Sequence, residues 1–132
     1  MALLDSLGEK LQTDGVGTLA TNIFLGYLRD TPDVAVGVFE DRGNGAEQVF
    51  GAGVVAIEQP SIRVVARAAR NDYPAARTKI LAVRASLGSI RDTTISGVNF
   101  MCVIATSDPY PMGLDEHERA MFGLDLQAWV LP

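Results

Sequence analysis

From Arg119 to Leu131 the chain alternates without a break. Phe122, Leu124, Leu126, Ala128 and Val130 fall on one side, and Met121, Gly123, Asp125, Gln127 and Trp129 on the other. Successive side chains of a strand point to opposite faces, so this period of two predicts one long, half-buried strand. A strand of that length constrains everything before it. The rest of the chain must supply strands to pair with it and an apolar layer to cover its inner face.

The partners are legible. Val34–Glu40 and Ser61–Ala68 read as strands; in the second, Ile62, Val64 and Ala66 face one way and Arg63, Val65 and Arg67 the other. Thr21–Arg29 reads as a strand and Asp30-Thr31-Pro32-Asp33 as the turn after it. Val54–Glu58 reads as a short extra strand. Thr93–Ile95 and Val98–Thr106 form two strand pieces around Ser96-Gly97, and Ser107–Glu116 reads as a loop. Residues 41–53, with Gly43, Gly45, Gly51 and Gly53, read as a mobile loop or a long hairpin.

Two helices supply the covering layer. Leu3, Leu4, Leu7 and Leu11 recur at helical spacing within Met1–Thr13, and Gly15 stops the run. Asn71-Asp72 and Pro74 open a helix over Tyr73–Leu87, whose buried stripe is Ala76, Ile80, Val83 and Leu87 and whose stop is Gly88. The expected fold is α+β: a mainly antiparallel or mixed sheet with two helices packed on one face, in the order α-β-β-β-α-β-β. All 132 residues form a single domain of ordinary size. Apolar residues at 48% are enough for a core without metals or disulfides.

The net charge of −5 weighs against a protein that grips phosphate backbones. The charge is polarised, however. Arg63, Arg67, Arg70, Arg77, Lys79, Arg84 and Arg91 lie within 61–91, opposed only by Asp72 and the adjoining Asp92, and the remainder is acidic. This is either a pair of solvated faces or the means by which one subunit meets the next. Cys102 stands alone in an apolar run and reads as a core thiol. The N-terminal segment has no basic lead and no long apolar stretch, so no secretory signal is expected, and no run is long enough to span a membrane.

A search for catalysis yields little. His117 is the single histidine, set in Asp115-Glu116-His117-Glu118-Arg119, with no nucleophile motif around Cys102 or any serine. The acidic run there lacks the ligand spacing of a zinc or calcium site. Gly15-Val16-Gly17 and Gly43-Asn44-Gly45 lack the lysine and hydroxyl of a phosphate loop. No enzyme activity, cofactor or metal is expected. Trp129 points away from the core, where either a second helical layer or an oligomer interface would cover it.

Four stretches carry a resemblance. They are Asn22-Ile23-Phe24 with Asp30-Thr31-Pro32-Asp33 and Val36–Glu40; Pro60–Arg67 leading into Asp72–Arg77; Ile95-Ser96-Gly97-Val98-Asn99-Phe100; and Pro109–Glu116 with Arg119 and Phe122. In this order and spacing the chain resembles the tail terminator family of long-tailed bacteriophages, also described as minor capsid proteins. The resemblance implies a structural virion protein at the tail–neck junction, assembled in the host cytoplasm. It implies a homohexameric ring that caps the tail tube, stops its polymerisation and meets a head-completion or stopper protein. Genome DNA would pass through the lumen without specific binding, and no membrane is involved.

On that reading Arg77, Lys79, Arg84 and Trp129 are candidates for the subunit interface. Asp41, Arg42, Asn44 and Glu47 are candidates for contact with the tail tube. Tyr110, Asp115 and Arg119 are candidates for a loop at one ring face, with Asp115 or Glu116 pairing with Arg119. The alternatives are another head–tail connector, a small α+β ligand-binding module or enzyme, and a nucleic-acid-binding domain using the basic 61–91 face.

Overall fold

The computed structural model describes residues 2–48 and 55–131, and the side chains of 3–41 and 57–131. The elements run α1 (Ala2–Thr13), β1 (Ile23–Leu25), β2 (Ala35–Gln48), β3 (Val55–Arg70), α2 (Tyr73–Gly88), β4 (Arg91–Ile95), β5 (Val98–Ala105), β6 (Tyr110–Leu114) and β7 (Arg119–Leu131). The fold is α+β, as expected. One mixed sheet has the strand order β1-β2-β3-β7-β5-β4, with β6 also on β7. The β1–β2 pair is parallel and the others are antiparallel.

The alternating strand β7 is the organising element. Along one edge it pairs with β3 from Arg70↔Arg119 to Glu58↔Val130. Its other edge is shared end to end by β6, at 120–123, and β5, at 126–131. Phe122, Leu124, Leu126 and Ala128 on its inner face are at most 1% exposed. They meet Ile62, Val64 and Ala66 of β3, Val36 and Val38 of β2, and the stripes Leu4-Leu7-Leu11 of α1 and Ala76-Ile80-Val83-Leu87 of α2 in one core. Asp72 caps α2 by accepting a hydrogen bond from the Ala75 amide, with Pro74 in the first turn.

The structure corrects the expected strand limits. The strand expected over 21–29 shrinks to Ile23–Leu25, because Gly26 turns the chain at φ +82°. The segments 55–58 and 61–68 are one strand: Pro60, which has no amide proton to give, sits where the β2–β3 register slips between Asp41↔Ser61 and Asn44↔Gln59. The glycine-rich 41–48 segment continues β2 through these slips instead of leaving the sheet, so the hairpin reading holds for the described part. Residues 49–54 lie outside the described residues. The 107–116 loop contains the strand β6, hidden in the sequence by Pro109, Pro111 and Gly113. α2 ends at Gly88, as expected, with Ser89 as its C-cap in right-handed geometry.

Candidate assembly surfaces

Two arginines organise one end of the sheet's outer face. Arg67 of β3 and Arg119 of β7 lie on the side away from the helices, yet each is only 3% exposed. Arg67 donates to the carbonyl oxygens of Arg29 at 2.7 Å, Pro32 at 2.5 Å, Asp33 at 2.9 Å and Asp30 at 3.3 Å. Arg119 donates to Asp115 at 2.8 Å, the Asp30 carboxylate at 2.7 Å, the Asp33 carboxylate at 3.1 Å and the Asp30 carbonyl oxygen. The 29–33 loop, with its cis Thr31–Pro32 bond, is thereby folded over both side chains. Burial and the nearby Arg119 charge lower the Arg67 guanidinium from its ordinary value. Burial alone would lower Arg119 too, but its bonds to Asp30, Asp115 and Asp33 outweigh that and raise it.

Asp115 is the hinge of the facing turn. One carboxylate oxygen accepts from the amides of His117 and Arg119, both at 2.9 Å, and the other binds the Arg119 side chain. Burial would raise its pKa; these donors together hold it below the usual carboxylate range. Of the two expected partners of Arg119, Asp115 is the one that pairs. Glu116 instead faces His117 at 3.6 Å, and His117 lies 3.4 Å from Asp30. Asp30, Glu116 and His117 bring three ligand atoms within 4.8 Å of one another, all exposed, with Asp30 already bonded to Arg119. Spacing within the 115–118 run did not reveal this group, because its third member comes from the 30–33 turn.

Tyr110 does not join Asp115 and Arg119. It lies farther along the outer face, paired with Gly123 on β7, and its hydroxyl is 3.1 Å from Asp125. Gly37, Val65 and Gly123 form one row across β2, β3 and β7. The Tyr110 ring overlies Gly123 and the Phe39 ring overlies Gly37. Val65 between them is 5% exposed. Arg63 then bridges Asp41 at 3.0 Å and Asp125 at 3.1 Å. Farther still, Trp129 stands opposite Cys102, and Gln127 opposite Ile104. Trp129 is half-buried and Ile104 is 45% exposed. Cys102 is half-buried on this outer face, not a core thiol: the register slips between Phe100 and Cys102 and shifts the alternation by one residue.

The basic residues of α2 separate. At 100° per residue, Lys79 and the pair Arg77 and Arg84 fall on opposite flanks of the buried stripe. Lys79 donates to the Val16 carbonyl oxygen at 2.7 Å and so ties α2 to the segment after α1. Arg77 and Arg84 are exposed, with no carboxylate partner among the described residues. Of the hairpin candidates, Asp41 pairs with Arg63. The backbone of Arg42, Asn44 and Glu47 is in β2, and their side chains lie outside the described residues. Among the described helices none is long and apolar enough to cross a membrane.

Among the described residues the geometry offers shaped and charged surfaces, and no nucleophile, base and orienting group converge. No curated protein sequence matches the chain. Among solved structures, a chain of the virion of a native gene transfer agent particle shares the fold with TM-score 0.74 and 16% identity, covering 99% of this chain and 96% of that one. A second solved chain shares it with TM-score 0.60 and 14% identity, covering 99% and 92%. The class is a structural virion protein of phage type. The chain belongs to the bacteriophage tail terminator protein family, whose model matches residues 10–131.

Proposed function

We propose that this protein caps the finished tail tube as a ring of six copies, ends its polymerisation, and presents its far face to a head-completion protein at the neck. The family match over residues 10–131 carries this reading. The physical features support it. A closed ring needs two different faces on each subunit, and this one carries an unpaired basic helix flank and acidic surface elsewhere. The β2–β3 hairpin, whose Asp41, Arg42, Asn44 and Glu47 lie level with the last residues of β7, is assigned to the tube. Arg77, Arg84 and Trp129 are assigned to the subunit contact. The turn held by Asp115 and Arg119 shapes one ring face. With a net charge of −5, the ring lets DNA pass without holding it. The protein assembles in the host cytoplasm, acts without catalysis or cofactor, and ends at the tail–neck junction.

The test is electron microscopy of particles made without this gene product. Overlong tubes free of heads are expected. Tails of normal length that fail to join heads would replace termination with a head-completion role, and normal particles would refute both.

A further inference from the structure

The inner face of the sheet is not fully covered by the helices. At the base of the β2–β3 hairpin, beyond the first turn of α1, a groove of about 360 Å³ has an apolar lining of Leu3, Val98, Val130 and Pro60 and a polar one of Ser61, Glu40, Glu58 and Asp41, the last already paired with Arg63. Glu40 follows Val36 and Val38 on the inner side of β2, opposite Ile62, and Glu58 lies opposite Val130. Both carboxylates therefore share the face of the apolar floor. Both are exposed, and among the described residues neither has a basic partner. An apolar floor with two unneutralised acids fits a segment that offers apolar surface between two cations.

The chain itself has such a segment. Arg77 and Arg84 lie on the flank of α2 turned away from Lys79, with half-buried Leu81 between them, and no acid occurs in the helix. Seven residues of helix set the two arginines about 10 Å apart along the axis. Four residues of β3 separate Glu58 from Ile62, the partner of Glu40, which sets the acids about 13 Å apart along the strands and one strand spacing of about 5 Å across them. Side chains of this length close the difference. The groove and the helix flank are different surfaces, so a contact between them is head-to-tail and closes into a ring when the rotation allows.

We infer that the groove of one subunit receives the Arg77–Leu81–Arg84 flank of its neighbour, with Glu40 and Glu58 pairing with the two arginines. The inference rests on the ring proposed above and names the surfaces that build it. Its test is complementation in cells that produce the particle without this gene. Variant one carries Arg77→Glu with Arg84→Glu, and variant two carries Glu40→Arg with Glu58→Arg. Each variant alone has like charges at every contact and lowers the yield of normal-length, head-joined tails by at least about tenfold. Expressed together they restore it, because an alternating ring of six pairs acid with base at each contact. All four positions are exposed, so folding is retained, checked by circular dichroism. Arg84→Ala and Glu58→Ala add no new charge and give the same pattern of loss at smaller size.

Full activity of either variant alone overturns the inference. So does failure of the mixture when both variants are folded, which would assign the groove to the tube or to a head protein. Failure of the terminator reading is distinguishable: without the gene, tail length would be normal, whatever the variants do.

Discussion

Replacing Arg119 by alanine tests the corner that shapes the 29–33 and 115–118 turns. The side chain is 4% exposed and faces three carboxylates, but these differ. Asp30 and Asp33 are 65% and 62% exposed, so water replaces the guanidinium and each pair contributes ~1 kcal/mol or less. Asp115 is 16% exposed and stays where it is. Removing one partner of a buried pair costs about 3–5 kcal/mol. Asp115 retains two amide donors, which puts the loss at the low end, about 3 kcal/mol. For a domain of this size that lowers Tm by about 10 °C. Urea unfolding followed by circular dichroism reads it directly. Arg70→Ala is the control: its pair with Glu118 is 69% and 51% exposed, and its loss is under ~1 kcal/mol. Equal small losses in the two variants would refute the claim that burial of Arg119, and not its charge count, anchors these turns.

Two further outcomes are expected. In Gly123→Ala the new methyl would meet the Tyr110 ring at 2.5 Å, costing about 1–3 kcal/mol; adding Tyr110→Ala removes the clash, so a double-mutant cycle gives a large coupling, and simple additivity would disprove the packing of this ring. Asp115 titrates below the usual carboxylate range, so its contribution is complete above the unfolded value of ~3.9 and is lost as pH falls through the lower folded value. Asp115→Asn should therefore flatten the acid limb of the stability–pH curve below about pH 4, and an unchanged limb would show that the turn is held by other groups.

The core was legible because it depends on period. The inner rows of β3 and β7 and the stripe of α2 follow from spacing alone, and the structure places each as expected. What the sequence concealed depends on register and on distant carbonyls. Pro60 suggests a break until the slip opposite Asn44 removes the need for its amide. Tyr110–Leu114 contains a proline and a glycine, yet it needs only the free half of the β7 edge to become a strand. Arg67 reads as one charge of a basic face that is either solvated or turned to a neighbouring subunit. The one available signal of its burial is that it shares its side of the strand with the apolar Val65. Its actual partners are carbonyl oxygens thirty-odd residues away, which no local pattern encodes.

A protein that ends a polymer must bind its own kind in a ring without continuing the polymer along the axis. The sheet suits the second requirement. Its β1 edge is three residues long, and its β4 edge begins Arg91-Asp92 and is exposed at its first four positions. Short or charged edges are poor templates for adding strands indefinitely. Two further stretches of edge have no strand partner among the described residues: the outer side of β6, five residues long with Pro111 in it, and β2 beyond Val38, because β1 ends opposite that residue. The second lies on the hairpin assigned here to the tube. On the proposed reading a contact made there uses that edge once and leaves the basic helix flank for the neighbouring copy, while the groove at the hairpin base, which Glu40 and Asp41 help to line, is where the tube contact and the ring contact adjoin.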